Sequence, residues 1–186
     1  MTSVEGLWVS YNPILTSLTG LENLTSNGSF LAIKDNDNLA NLNGLNNLTT
    51  IGEELAVWDN PSLTSLSGLE NLTAIGGYLW ISNNDALTSL SGLNNVTSIN
   101  GVFSIEDNDA LTSLIGLGSI EAGSITNLSI HNNSLLSTCE VQSVCDYLAA
   151  PSGTIEIHDN TTGCDSQVEV EEACAGSSSC LPEGIY

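Results

Sequence analysis

The stretch "LTSLSGLENLTAIGGYLWISNNDA" at residues 63–86 is followed at residues 87–110 by "LTSLSGLNNVTSINGVFSIEDNDA". The two segments have the same length and nearly the same apolar residues, so the chain contains a 24-residue repeat. A fixed period of roughly 20–50 residues is typical of a solenoid, in which each unit buries its apolar residues only by stacking on its neighbours.

The repeat continues on both sides of this stretch, and its apolar positions form columns. One such column is Leu18, Leu42, Leu66, Leu90 and Leu114, and a glycine column is Gly20, Gly44, Gly68, Gly92 and Gly116. Each unit has three short apolar segments, LTSL, NLTxI and LxI, which are too short for helices and rich in strand-forming residues. The pattern predicts a mainly β fold: a parallel β-solenoid over residues 1–136 with the Leu, Ile and Val columns inside.

One asparagine recurs where the third segment of each unit ends. The column consists of Asn12, Asn36, Asn60, Asn84, Asn108, Asn133 and Asn160, with small insertions before the last two. Such a side chain can bond backbone groups at a corner and the side chain of the next coil. We therefore expect a structural asparagine ladder.

The period ends at "LLSTCEVQSVCDYLAAPSG". Ser137 and Glu140 form a capping-box pattern before a first helix, which Pro151 would end. "TIEIHDN" predicts one more strand, and "CDSQVEVEEAC" predicts a second helix with Ser166 and Glu169 at its start. A solenoid needs a polar cap on its last coil. We expect residues 137–175 to form it and residues 176–186 to lead to a following module.

Four of the five cysteines lie in the predicted cap, namely Cys139, Cys145, Cys164 and Cys174. This clustering indicates disulfides and an extracellular setting, and it allows three pairings. Cys139–Cys164 with Cys145–Cys174 is favoured, because each bond would link the first helix to the segment after the strand. Zinc is the alternative, although the spacings are not CxxC. Cys180 is expected to pair with a cysteine outside the chain.

The composition excludes several partners. Among the 186 residues there is one Lys, no Arg and a net charge of -21, which repels nucleic acids and anionic membranes. No apolar run is long enough to span a membrane, and the start, "MTSVEGLWVS", has no signal-peptide pattern. The first coil begins in the middle of a unit. We expect a fragment of a longer array or a first coil that another segment covers.

The units and the cap together suggest a family. The "LTSLxGLxNLTxIGGxLxIxxN" units resemble those of large secreted surface proteins of Bacteroidota and the receptor L domain, a right-handed, leucine-rich-repeat-like β-helix. The segment "CEVQSVCDYLAAPSGTIEIHDNTTGC" is similar to a cap of such arrays, and "CLPEGI" resembles the opening of a following module. The resemblance implies secretion by the type IX route and a surface role such as adhesion. It supplies no catalytic residues.

The outward side of the third segment is the candidate binding surface. Alternation along a strand points three columns outward, and they contain every Trp of the chain. The candidate residues are Trp8, Phe30, Trp58, Tyr78, Trp80 and Glu106. Aromatic faces stack on sugars or anchor a protein partner, and carboxylates accept hydrogen bonds. The alternative is that these rings only stabilise the sheet through cross-strand contacts.

Two metal sites and an ice-binding surface are further candidates. A corner rich in aspartate could bind Ca²⁺ through Asp35, Asp37, Asp59, Asp85, Asp107 and Asp109, although it matches no known calcium loop. His131 and His158 occupy matching places near Glu106 and could hold a transition metal. Columns of Thr could order water, although no regular TxT pair occurs.

The sequence contains no nucleophile elbow and no phosphate-binding glycine loop. We therefore predict that the chain is not an enzyme but a binding, adhesion or display module that contacts a glycan or a protein. A structural spacer, a calcium-stabilised solenoid, a polysaccharide-acting enzyme and an ice-binding protein are the alternatives.

Overall fold

The computed structural model describes residues 2–178, and the repeat folds into two parallel sheets. In chain order the strands are β1 (Ser3–Val4), β2 (Leu7–Ser10), β3 (Ser26–Asn27), β4 (Leu31–Lys34), β5 (Thr50–Ile51), β6 (Leu55–Trp58), β7 (Ala74–Ile75), β8 (Leu79–Ser82), β9 (Ser98–Ile99), β10 (Gly101–Glu106), β11 (Ile125–His131) and β12 (Ile155–His158). The long sheet has the order β12-β11-β10-β8-β6-β4-β2, and the short sheet has the order β1-β3-β5-β7-β9.

The strand register confirms the predicted parallel β-solenoid. Leu31 pairs with Leu55 and Leu55 pairs with Leu79, so equivalent residues of successive coils lie side by side. The inward columns of Leu, Ile and Val are buried after the first coil, and Leu42, Leu66 and Leu90 have 0% exposure. In the first coil Leu7 and Val9 are only partly buried. The core is therefore one continuous apolar column.

The LTSL segment is not a continuous strand, in contrast to the other two segments. Its described sheet contacts are isolated bridges, such as Ser65 to Ser89, and its ends form turns. The glycine after it explains the turn, because Gly68 has a φ of +112°. A Cβ at Gly68 would also collide with the carbonyl oxygen of Leu42 in the preceding coil. In this column Gly44, Gly68 and Gly116 thus allow both the turn and the close stacking.

The asparagine column forms the hydrogen-bonded ladder that was expected. Asn84 is completely buried, and its side-chain amide donates to the carbonyl oxygens of Val57 and Ser82, both at 2.9 Å, and to Asn108 Oδ1 at 3.3 Å. Its own Oδ1 accepts from the backbone N–H of Asn60 at 3.3 Å. The contacts run from Asn12 to Asn160. The ladder satisfies corner backbone groups that water does not reach.

The residue before each ladder asparagine has a left-handed backbone. The set is Tyr11, Asp35, Asp59, Asn83, Asp107, Asn132 and Asp159, with φ between 52° and 57°. Asp and Asn adopt this conformation more readily than other non-glycine residues. The geometry of the corner therefore explains half of the aspartates in the proposed calcium set.

The cap has the predicted order of helix, strand and helix, with α1 at Gln142–Ala149 and α2 at Gln167–Ser178 on either side of β12. Disulfides join Cys139 to Cys164 and Cys145 to Cys174, the pairing that the sequence favoured. β12 extends the long sheet, so the cap also supplies the last coil. Cys180 lies outside the described residues.

Two details of the cap differ from the prediction. Val141 precedes α1 without a side-chain cap, so the Ser137 and Glu140 capping box is wrong. Burial of Val144 against the last coil holds this helix instead. α2 runs through Ser178, so the helix extends beyond residue 175, and a single Gly176 is too small a penalty to end it. The boundary between the cap and a linker stays a prediction. The Ser166 Oγ does accept from the Glu169 N–H.

We expect Asn84→Ala to lower the free energy of unfolding by about 2–4 kcal/mol, because it leaves several buried backbone groups without partners. Chemical denaturation measures the change. Asn95→Ala is the matched control, since Asn95 is exposed and donates only to the Glu70 carbonyl. Equal effects of the two substitutions would contradict a structural role for the ladder.

Candidate ligand-binding face

The outward side of the long sheet gathers the aromatic residues as predicted. The aromatic face is defined here as Trp8, Phe30, Trp58, Tyr78 and Trp80. Their strands pair in register, so Trp8 and Trp80 lie in one outward column and Trp58 lies in the next. Ala32 and Ala56 occupy the column between the two tryptophans, and they are almost fully buried although they point outward. Small residues thus leave room for the neighbouring rings.

The rings of the aromatic face contact one another. The Trp58 and Trp80 rings stack with centroids 5.2 Å apart and planes at 22°. Trp8 meets Trp58 and Phe30 edge-on, at centroid distances of 6.0 Å in both cases. Trp8 and Tyr78 remain 54% exposed, whereas Trp58 and Trp80 are partly buried. Phe30 is also exposed, at 37%, so the face has a partly buried centre and three exposed rings.

Glu106 holds Trp80 in place. The indole Nε1–H of Trp80 and the Ser104 hydroxyl both donate to Glu106 Oε1, the latter at 3.2 Å. His131 Nε2 lies 3.1 Å from Glu106 Oε2. Both carboxylate oxygens of Glu106 thus have partners, and this carboxylate orients the Trp80 ring.

His131 and His158 lie side by side at the cap end of the long sheet. Their rings stack in parallel with centroids 4.9 Å apart, and His158 Nδ1 contacts Asp159 Oδ2 at 2.8 Å. His131 Nδ1 is buried and has no hydrogen-bond partner within residues 2–178. If Nε2–H donates to Glu106, Nδ1 is the unprotonated nitrogen of the neutral tautomer. Parallel stacked rings do not converge on one metal ion.

The single lysine lies beside the aromatic face. Lys34 Nζ is 5.4 Å from the centre of the Trp58 ring and 5.6 Å from that of Tyr11. It also lies 3.4 Å from Asp35 Oδ2 and 3.9 Å from Asp59 Oδ2. Aromatic rings and carboxylates together stabilise this ammonium group.

The acidic corner has structural roles that compete with calcium binding. Asp35 and Asp59 contact Lys34, and Asp107 occupies the left-handed turn position. Asp37, Asp85 and Asp109 are exposed. Within the described part of the chain, no group of three or more His, Cys, Asp or Glu is placed to hold a metal ion. Calcium binding stays a prediction.

The threonine hydroxyls of the short-sheet side bond the preceding coil. Thr49 Oγ1 donates to the Thr25 carbonyl at 2.9 Å, and Thr73 donates to Thr49 in the same way at 3.0 Å. Hydroxyls engaged with the backbone cannot donate the same proton to water. This arrangement explains the threonine columns without ice binding.

A groove of about 180 Å³ is lined by Tyr78 and Trp80. Val102, Ser104 and Glu54 also line it. Partial burial raises the pKa of the Glu54 carboxyl, and the neighbouring charge of Glu53 raises it further. Alternation along the strand puts Glu54 in an outward column, but nothing in the repeat shows which carboxylates are desolvated.

The fold and the face define a class of protein: a leucine-rich parallel β-solenoid with a disulfide-linked cap and one non-repetitive aromatic surface. The family model for the Receptor L domain matches residues 58–173, more than half of the chain, and the chain belongs to this family. The match includes Trp58, Tyr78, Trp80 and Glu106. No curated protein and no solved structure matches the chain.

The family assignment has consequences for the class of function. The Receptor L domain is a ligand-binding domain and not an enzymatic one. Together with the two disulfides, it indicates an extracellular protein. Neither α1 nor any other helix within residues 2–178 has the length and apolar character that crossing a membrane requires.

We expect Glu54→Gln to raise the melting temperature at pH 7.5. A raised folded-state pKa means that ionised Glu54 opposes folding, so wild-type stability falls as the pH rises through that pKa. The advantage of the variant should shrink as the pH falls toward the ordinary carboxyl value near 4.5. Differential scanning fluorimetry against pH measures this difference. The control is Glu172→Gln, an equal charge change at an exposed site on α2. A lower melting temperature for Glu54→Gln at pH 7.5 would contradict the account.

Proposed function

We propose that the chain is an extracellular adhesion or display module that binds its ligand through the aromatic face. The module would belong to a larger secreted or cell-surface repeat protein. The resemblance of its units to exported surface proteins of Bacteroidota supports the type IX route. The family supports ligand binding in general, and the surface supports the particular contact area.

The observation that carries this proposal is the exposure of Trp8 and Tyr78 on the same side as the Trp58–Trp80 stack. Cross-strand contacts explain the stacked pair, because Trp58 and Trp80 lie on neighbouring strands and their rings contact each other. Such contacts also involve Trp8, yet they leave Trp8 and Tyr78 54% exposed. Exposed aromatic residues beside a rigid ring cluster are typical of binding hot spots.

A protein ligand fits the face better than a glycan does. Sugars are held by aromatic stacking together with several hydrogen bonds to hydroxyl groups. Here the Trp80 N–H and the Ser104 hydroxyl already donate to Glu106 Oε1, and Glu106 Oε2 lies 3.1 Å from His131 Nε2. The face therefore offers apolar area and charge more than free hydrogen-bond groups, and we propose a protein partner, with a glycan as the alternative.

The proposal is tested with a Trp8→Ala/Tyr78→Ala double variant. Ligands are selected on the wild-type protein from a glycan array and from a library of displayed peptides. We expect the double variant to bind them at least about tenfold more weakly, since exposed aromatic anchors contribute on the order of 2 kcal/mol. Its melting temperature should change little because both side chains are more than half exposed. Titrations of intrinsic fluorescence should respond, because every Trp of the chain lies on this face.

The matched control is Ile115→Ala, which removes an exposed apolar side chain from another side of the coil. A selected ligand that binds the double variant as tightly as the wild type, without a change in Trp emission, would place the contact elsewhere. Failure to select any ligand would favour a structural spacer.

A further inference from the structure

We propose that the N-terminal end of the solenoid docks a segment of a partner polypeptide with the pattern LxIxxNxxLxxLxGLxxL, which residues 31–48 of the chain also have. The segment adds a parallel strand beside β2, places its asparagine beside Asn12 and covers the leucines of the following coil. This surface is the end of the stack and not the outward side of the long sheet. The inference therefore goes beyond the proposed function, and either one can fail without the other.

Both sheets have an open edge at this end. β1 is the last strand of the short sheet, and β2 is the last strand of the long sheet. The Leu7 N–H donates to the Phe30 carbonyl oxygen in the next coil. Because N–H groups alternate sides along a strand, those of Trp8 and Ser10 point away from the next coil. Such an edge is a template on which a segment of another chain can add a strand.

The asparagine ladder has an empty acceptor at the same end. Asn60 Oδ1 accepts from the backbone N–H and from the side-chain amide of Asn36, both at 3.2 Å. The Asn60 amide in turn donates to the Ile33 carbonyl of the preceding coil at 3.0 Å. Asn12 Oδ1 accepts no hydrogen bond within residues 2–178, and its amide donates to no preceding coil there. The ladder has a direction, so a segment that completes it must run parallel and carry an asparagine.

The stack of leucines is also open. A groove of about 100 Å³ at this end has a mainly apolar lining, which includes Val4, Leu7, Leu21 and Leu24. Leu15 and Leu21 are only partly buried, whereas Leu39 and Leu45, their equivalents in the next coil, are 0% exposed. The apolar surface that each later coil buries against its predecessor is therefore exposed here.

Two further contacts between coils identify what fits this space. A Cβ at Gly44 would collide with a carbonyl oxygen of the preceding coil, whereas a Cβ at Gly20 would meet no described atom within 4 Å. The Asn47 amide donates to the Glu22 carbonyl of the preceding coil at 2.6 Å, whereas the equivalent Asn23 has no hydrogen bond within residues 2–178. The open space thus matches one more LxxLxGLxxL segment, with a carbonyl over Gly20 and another beside Asn23.

A second copy of the chain does not meet these requirements. Two copies related by a two-fold axis would place their β2 strands antiparallel, whereas the ladder requires parallel strands. The cap covers the opposite end of another copy, since His158 bridges Ser166 and the Asn160 amide donates to the Cys164 carbonyl at 2.9 Å. Each copy also has a net charge of -21, which opposes self-association. The occupant is therefore a segment of a different polypeptide.

The test uses a peptide that copies residues 31–48, LAIKDNDNLANLNGLNNL, which has the strand, the asparagine and the leucines in the required order and contains no Trp. Trp8 lies in β2 and is 54% exposed, so a docked strand should shift its emission to shorter wavelength in a saturable titration of the full chain. Hydrogen exchange locates the contact. We expect slower exchange of the Trp8 and Ser10 backbone N–H groups.

Two substitutions test the ladder contact from its two sides. The same peptide with Asn36→Ala should bind about tenfold more weakly, because it has no side-chain amide to donate to Asn12 Oδ1. Asn12→Ala in the chain should weaken binding of the unaltered peptide to a similar degree. The matched control is Asn95→Ala in a later coil, which should bind within about twofold of the wild type. A peptide of the same composition in scrambled order should not bind.

The absence of saturable binding by the unaltered peptide would overturn the inference, and so would equal binding of the scrambled peptide. Equal affinities of the Asn12→Ala and Asn95→Ala chains would also overturn it, because docking would then not involve the ladder. The Asn36→Ala peptide leaves the chain unchanged, so a folding defect cannot imitate its effect. Sedimentation velocity of the chain alone tests the other occupant. A dimer that Asn12→Ala dissociates would assign this end to a second copy and contradict the partner segment.

Discussion

The asparagine ladder is the constraint on which the rest of the structure depends. From Asn36 to Asn133, each ladder side chain bonds the corner backbone of two coils and the asparagine of the next coil, as Asn84 does with Val57, Ser82 and Asn108. A buried amide with these partners tolerates neither a shift along the chain nor a longer corner. The ladder therefore keeps the coils in register, and insertions must be accommodated elsewhere. The extra residue of the fifth coil causes the register shift between Gly101 and Val102, and the longer last coil contains α1.

The constant register determines which outward residues become neighbours on the surface. Inward positions repeat because every coil contributes to the same apolar column, whereas outward positions are free to differ. Trp58 and Trp80 occupy different columns of neighbouring strands, and their rings meet only because those strands are aligned. The repeated inward residues thus form a scaffold that carries an outward surface of different residues. Such a surface suits a ligand-binding module.

Much of this architecture follows from the sequence, because a 24-residue period leaves few ways to bury the leucines. The inward columns, the ladder, the cap and the outward position of the tryptophans could all be predicted from spacing. The orientation of an individual side chain on the surface could not be predicted from spacing. Periodicity places Glu106 and Glu54 on the same side of the sheet, yet one is occupied by Trp80 and His131 while the other lacks a partner. Side-chain packing decides that difference. The capping box at Ser137 failed for a related reason, because tertiary burial and not local capping holds α1.

Nuclear Overhauser measurements on the indole rings are the sharpest test of the register in which the coils stack. Trp58 and Trp80 are distant in sequence, and only coils stacked in the described register bring their rings into contact. The account predicts cross-peaks between these two rings, together with slow solvent exchange of the Trp80 indole N–H that Glu106 accepts. Three indole groups that exchange at the same rate and show no cross-peaks would contradict both the register and the binding face that depends on it.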